Sequence, residues 1–199
     1  MVMHHISPDQ YIISRWSGGI TRQIAIAPSG AVYGERSFLW RVSSATVDLD
    51  ASVFTPLPDY HRWITTLEGS ITLTHDGNAP VRLDPYDIHQ FDGGSRTCSQ
   101  GRCTDFNLML RKGSCRGSLR AVRFPAAGRQ RVCALEFSVP TVLVYCCAGS
   151  GELSGGGSRA ALCAAGAVLI EDAEEVPITL AASRPAVFLV AEIGPADAE

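Results

Sequence analysis

Ile64-Thr-Thr-Leu-Glu-Gly-Ser-Ile-Thr-Leu-Thr74, laid without a gap over Val144-Tyr-Cys-Cys-Ala-Gly-Ser-Gly-Glu-Leu-Ser154, aligns Gly69 with Gly149, Ser70 with Ser150 and Leu73 with Leu153. Further on, Asp105-Phe-Asn-Leu-Met-Leu-Arg-Lys-Gly113 falls over Ala186-Val-Phe-Leu-Val-Ala-Glu-Ile-Gly194. Phe106, Leu108 and Leu110 then meet Val187, Leu189 and Ala191, while Asp105 and Asn107 meet Ala186 and Phe188. An apolar stripe present in both copies implies a common scaffold. The polar stripe at the alternate positions belongs to the first copy alone, so a site is expected there and not in the second.

Around these segments strand signals dominate. Short runs rich in Val, Ile, Thr and aromatic residues recur between Gly, Pro, Asn and Asp clusters. Strands are expected at Thr21–Ala27, Phe38–Leu49, Arg62–Leu67, Ser70–His75, Val81–Leu83, Asp105–Leu110, Ala134–Val139, Val142–Cys147, Ala167–Ile170, Ile178–Leu180 and Val187–Ile193. Ala160–Ala165 has helical propensity but is short, and no segment sustains helical periodicity with caps. The repeat, from Gly69 to Gly149, is too long for a solenoid unit and suits one small β-barrel. Leu83-Asp-Pro-Tyr-Asp-Ile-His89 and Leu162-Cys-Ala-Ala-Gly-Ala-Val168 then read as equivalent descending segments. This ordering resembles the cupins, double-stranded jelly rolls that pair two sheets. The fold class expected is therefore all-β: a bicupin, with a first barrel over residues 1–115 and a second, degenerate one over 116–199. The seam falls in the Arg-, Gly- and Ser-rich stretch Lys112–Arg129, and the tail after Ile193 is expected to fray.

Composition narrows the function classes. The 199 residues carry a net charge of −3 without a Lys/Arg run, which argues against a nucleic-acid partner. No apolar stretch approaches the ~18 residues of a membrane span. No basic n-region with an apolar h-region opens the chain, so a cytoplasmic location is expected. Seven scattered cysteines, an odd number, fit free thiols in a reducing compartment. Cys98 and Cys103 lack the second pair that a zinc set requires.

The first metal-binding motif of cupins has the pattern G-x5-H-x-H-x3–4-E-x6-G. With Gly69 as its last glycine, Arg62 stands where the glutamate ligand belongs. The two His positions fall in Thr55-Pro-Leu-Pro58, which has none. A guanidinium repels a divalent metal but suits a carboxylate, through two parallel N–H···O bonds. Its counterpart in the second copy is Val142, which points to an inward-facing position. His61 and His89 lie near motif positions and His75 near a turn; a lone histidine is more often structural than a ligand. No metal and no cofactor are expected.

Asp105, Asn107, Met109 and Arg111 share one strand face because side chains alternate with period two. That face is either solvated or pocket-lining, and the apolar counterparts Ala186, Phe188 and Val190 favour the pocket. Trp40 and Arg41 point to opposite faces of one strand, Trp40 as core or pocket wall. Trp16-Ser-Gly-Gly-Ile-Thr21 is a turn feeding a strand, without phosphate-loop spacing.

Trp16-x-Gly-Gly-x-Thr21, Trp40-Arg41-x-Ser43-x-Ala45, Phe54-x-x-x-Pro58-x-x-x-Arg62, Leu67-Glu-Gly69 and Asp105-Phe-Asn-x-Met109-x-Arg111 together resemble the HutD/Ves family over residues 16–113. The resemblance implies a bicupin that binds carboxylates of histidine utilisation, such as formylglutamate, or a stress-associated role. This sequence departs from the family pattern at Ser17 (commonly Asn), Ile20 (Gly), Gln23 (Glu) and Asp59 (Gly). The reading is a metal-free binding protein for a small carboxylate metabolite, regulatory or buffering, and not an enzyme. Its site residues are Arg62, Asp105, Asn107, Arg41, Trp40, Thr21, Trp16 and His61. Two alternatives stand beside it: a metal-dependent isomerase or oxygenase using His61 or His89 with Asp105, and a homodimerising scaffold without ligand.

Overall fold

The computed structural model describes residues 1–132, 140–173 and 176–196. The turn residues cut the β-branched and aromatic runs into short strands, as their preference for a pleated, half-buried surface requires. In chain order the strands are β1 (Val2–Ile6), β2 (Ile12–Trp16), β3 (Gly19–Ala27), β4 (Trp40–Val47), β5 (Ala51–Val53) and β6 (Tyr60–Gly69). There follow β7 (Ile71–His75), β8 (Val81–Leu83), β9 (His89–Asp92), β10 (Thr97–Gln100), β11 (Cys103–Arg111), β12 (Cys115–Phe124) and β13 (Gly128–Arg131). The rest are β14 (Thr141–Ala148), β15 (Ser150–Gly155), β16 (Ser158–Cys163), β17 (Ala167–Glu171), β18 (Thr179–Ala182) and β19 (Ala186–Pro195). Two 3-10 turns, Pro8–Gln10 and Tyr33–Glu35, are the helical elements among the described residues.

Two compact units emerge, one of residues 11–115 and one of residues 1–10 with 116 onward. In the first, the sheets run β2-β3-β4-β11-β6-β9 and β5-β10-β7-β8; in the second, β1-β17-β14-β19-β12 and β13-β18-β15-β16. The order β4-β11-β6-β9 is matched slot for slot by β12-β19-β14-β17, and β5-β10-β7-β8 by β13-β18-β15-β16. Eight strands, β4 to β11, are thus repeated by β12 to β19. The hairpin β2–β3 is an addition to the first unit, and β1 is an addition to the second. Among the described residues none of the four sheets closes on itself through hydrogen bonds.

The repeated glycines show why the scaffold recurs. Gly69 (φ +73°), the last residue of β6, and Gly149 (φ +78°), the residue after β14, both have positive φ. A Cβ at Gly69 would lie 2.5 Å from the Arg102 carbonyl oxygen, and one at Gly149 2.6 Å from that of Pro185. Both carbonyls immediately precede the strand that pairs next to the glycine's own, β11 or β19. Positive φ and backbone this close leave room only for glycine. In the first unit Ile64 and Phe91 of the larger sheet pack with Ile71, Leu73 and Leu83 of the smaller. In the second, Val142, Val144, Phe188 and Val190 pack with Leu153 and Leu162. Each such side chain contributes about 1.5–3 kcal/mol of apolar burial.

Four expectations change. Residues 1–10 were expected in the first unit, but β1 pairs antiparallel with β17, Val2 opposite Glu171 and Ile6 opposite Ala167. The stretch expected as a seam, Lys112–Arg129, supplies the ten-residue strand β12, because Val122 and Phe124 are buried in the core of the second unit despite the arginines around them. Ala160–Ala165 lies largely in β16, where Leu162 is buried; sheet pairing with β15 overrides local helical propensity. Strand β19 continues beyond Ile193 to Pro195. The expected strand Ala134–Val139 lies outside the described residues. Cys98, Cys103, Cys115, Cys146, Cys147 and Cys163 are free thiols, and burial pushes Cys103 up to about 12.

Candidate functional site

A cavity of about 440 Å³ lies in the first unit. Its floor is one face of the larger sheet, built by period-two alternation: Arg41, Ser43, Ala45 and Val47 from β4, and Asp105, Asn107 and Met109 from β11. Strand register arranges these in rungs. Met109 lies opposite Arg41 on one side and Arg62 on the other, so both guanidiniums spring from a single rung. The next rung carries Asn107 opposite Ser43, with Gln23 beyond it. The third carries Asp105 opposite Ala45, with Thr21 beyond it. A bulge at Leu67 of β6, opposite the step from Thr104 to Asp105 on β11, lies beside this rung.

Arg62 is 6% exposed. Its Nη2 donates to Asn107 Oδ1 at 3.0 Å, and Asn107 Nδ2 donates to Asp105 Oδ1 at 2.8 Å. The backbone N–H of Ala45 donates to the same Asp105 oxygen at 3.1 Å. Asn107 therefore stands between Arg62 and Asp105, and no ion pair joins them directly. Arg62 Nε is buried with no hydrogen-bond partner. The guanidinium lies 5.0 Å from the centroids of both Phe54 and Phe91. Cation–π attraction of this kind is worth about 0.5–2 kcal/mol, less than the several kcal/mol that desolvating a charge costs.

Burial dominates the ionisation of both groups. It brings Arg62 down to about 10, against the attraction of Tyr33 and Asp105. It pushes the Asp105 carboxyl up to about 7, although the Ala45 N–H, Arg62, Asn107 and Arg41 all oppose the rise. Arg41 is also shifted down by burial. Its Nε donates to Gln23 Oε1 at 2.8 Å and its Nη1 to Ser43 Oγ at 3.1 Å, while the Tyr33 ring lies 4.3 Å from its guanidinium carbon. Gln23 is neutral, so the departure from glutamate leaves the Arg41 charge without a carboxylate at that hydrogen bond. With Arg15 also in the lining, three arginines face a single carboxyl, Asp105, which at pH 7 is only partly ionised. The cavity is electropositive.

Six of the eight expected site residues line it: Arg62, Asp105, Asn107, Arg41, Thr21 and Trp16. Trp40 and His61 do not, and this corrects their assignment. Both lie opposite Leu110 in register and so turn to the reverse face, where Leu110 is fully buried. His61 meets Trp63 edge-on at 6.5 Å. His89 is also elsewhere: its Nε2 lies 2.9 Å from His75 Nε2, and β6 separates its strand from that of Asp105. Sequence reasoning missed Tyr33, Ser43, Phe54 and Arg15 as lining residues. Ser43 was within reach of the alternation argument from Arg41; Tyr33 sits in a connection that has no periodicity to read.

The antiparallel all-β architecture is that of a cupin-type jelly roll. The HutD family model matches residues 9–188, and the chain belongs to that family. A conserved protein of unknown function from Pseudomonas aeruginosa is similar in structure at TM-score 0.84 and 23% identity, over 97% of this chain and 99% of that one. HutD from Pseudomonas fluorescens is similar at TM-score 0.75 and 22% identity, over 98% and 100%. A cupin 2 conserved barrel domain protein from Leptotrichia buccalis aligns at TM-score 0.59 and 10% identity, over 96% of each chain. At these identities the likeness establishes the fold. No curated protein sequence matches the chain significantly. No helix of the described residues is long and apolar enough to cross a membrane.

Proposed function

We propose that the first unit binds a small carboxylate metabolite, and that the protein serves histidine utilisation in the cytoplasm as a regulatory or metabolite-buffering partner, not as an enzyme. We also take each unit to be one cupin barrel, the pair forming a bicupin of which only the first copy is functional. The observation that carries the reading is Arg62: a buried guanidinium on a cavity wall whose Nε has no partner and whose hydrogen bond, among the described residues, is to a neutral amide. A carboxylate would take the open donors in two parallel bonds and offset the cost of burying the charge. Arg41, held by Gln23 and Ser43, stands ready to share the anion. The structure of Pseudomonas fluorescens HutD is described for a formate condition, which suits the smallest member of the proposed ligand class.

The test is calorimetry with formate, acetate, succinate and glutarate on wild type and Arg62→Met. Loss of the charged contact should weaken binding by about 2–5 kcal/mol. A folded Arg62→Met variant that binds these acids as tightly as wild type overturns the reading.

A further inference from the structure

Arg111 closes the polar motif of β11, yet it takes no part in the cavity floor. Its Nε donates to the Phe38 carbonyl at 3.0 Å, and its Nη2 donates to the Tyr60 hydroxyl at 2.7 Å and to the Arg36 carbonyl. The Tyr60 hydroxyl in turn lies 2.9 Å from the carbonyl oxygens of Arg36 and Phe38. The Tyr60 ring stacks on Phe38 at 4.3 Å. Backbone bonds from Leu39 to Ala27 and from Arg111 to Leu39 complete the attachment. All of these contacts fall on one connection, residues 28–39, which joins β3 to β4 as a strap. Arg36 holds a left-handed conformation there (φ 54°), and its N–H caps the 3-10 turn that begins at Tyr33.

What the strap delivers to the cavity is Tyr33. The residue is half-buried, it lines the cavity, and its ring lies over Arg41. Its hydroxyl has no hydrogen-bond partner among the described residues. Tyr33, Arg41 and Arg62 line the same cavity, with the Tyr33 ring centroid 4.3 Å from the Arg41 guanidinium carbon. A phenol there is a neutral donor beside two charged donors, which suits the third hydrogen bond to an anion.

We infer that Tyr33 is a ligand-contacting residue whose hydroxyl donates to the carboxylate received by Arg41 and Arg62, and that Arg111 and Tyr60 are positioning residues that hold its strap in place. The inference rests on the carboxylate reading of the cavity. A hydrogen bond to a charged group is worth about ten- to a hundredfold in affinity. Phenylalanine keeps the ring over Arg41 and removes only the donor.

The experiment is calorimetry of acetate and glutarate binding to wild type, Tyr33→Phe, Arg111→Met and the double variant, with melting temperatures recorded alongside. Tyr33→Phe is expected to melt with wild type and bind about tenfold more weakly. Arg111→Met is expected to weaken binding in the wild-type background and to add no further loss on top of Tyr33→Phe, while its effect on melting persists in both. A purely structural role would weaken binding equally in both backgrounds, which would overturn the positioning assignment. Should Arg111→Met fail to fold, Tyr60→Phe, which removes only the latch hydroxyl, takes its place in the cycle. Wild-type affinity in Tyr33→Phe overturns the ligand contact alone. A wild type that binds neither acid overturns this inference and the carboxylate reading together.

Discussion

The two copies of the eight-strand repeat differ most at the slots where they are most closely equivalent. Arg62 on β6 corresponds to Val142 on β14, and strand register makes Asp105 and Asn107 on β11 equivalent to Phe188 and Val190 on β19, two places on from the ungapped sequence alignment with Ala186 and Phe188. Polar residues at these slots leave the first copy with a cavity. In the second, Val142, Val144, Phe188 and Val190 are buried together in an apolar core. The hairpin β2–β3, which the second copy lacks, adds Ser14, Trp16 and Thr21 to the cavity wall. A single backbone thus supports either a hollow or a solid interior, and a few side chains select between them.

The largest test of that contrast is to exchange the equivalent residues. Val142→Arg forces a long guanidinium side chain into a filled apolar core, with the buried Glu192 opposite it on β19, and should cost about 4 kcal/mol or more, or prevent folding. Arg62→Met removes a charge that is already poorly compensated and should stay within about 1 kcal/mol of wild type or exceed it. Urea unfolding of both variants measures the asymmetry, and equal costs would break it. Phe188→Ala should come next, at about 3–5 kcal/mol, because the ring fills the position that Asp105 leaves polar.

A smaller and pH-dependent effect distinguishes Asp105. Its folded carboxyl, at about 7, lies above the ordinary value of 3.8, so the folded state holds the proton more tightly. The stability this contributes is fully present below about pH 4 and is lost as pH rises to about 7, by at most about 1.4 kcal/mol per pH unit. Asp105→Asn should remove that slope, so its stability relative to wild type rises between pH 5 and pH 8. Parallel unfolding curves at the two pH values would show that the buried carboxyl is not raised.

The smallest effect concerns the contact between the two sheets of the first unit. His75 on β7 and His89 on β9 meet through their Nε2 atoms, with Thr97 Oγ1 at 2.8 Å from His75 Nδ1. Burial holds both imidazoles below their usual value, with the neighbouring His89 adding to the effect on His75. Their contribution is therefore present above about pH 6.5 and lost as pH falls below it. His89→Ala should cost about 1 kcal/mol at pH 8, and the difference from wild type should shrink by pH 5.

Much of this was legible in the chain because strands write their geometry into sequence with period two. Val81–Leu83 was read with its observed bounds, and Thr21–Ala27, Ser70–His75 and Ala167–Ile170 within one or two residues at either end. The inward direction of Arg62, Asp105 and Asn107 followed from alternation and from their apolar counterparts. Trp40 and His61 failed on the same rule, since each is one residue away from an inward position. The arginine-rich β12 and the short β9, β10 and β13 escaped notice because their pairing partners, not their own composition, make them strands.

The sequence by itself determined that the protein is all-β, that it repeats a scaffold about a shared glycine, and that the first copy carries a set of polar side chains on an inner face. Those conclusions rest on local rules: alternation, turn chemistry and the room that only glycine permits. Tertiary structure decided which unit β1 joins, that Asn107 lies between Arg62 and Asp105, and that the strap places Tyr33 against Arg41. These depend on which distant segments pair and on how burial shifts charge, and neither is encoded within the span of a single strand.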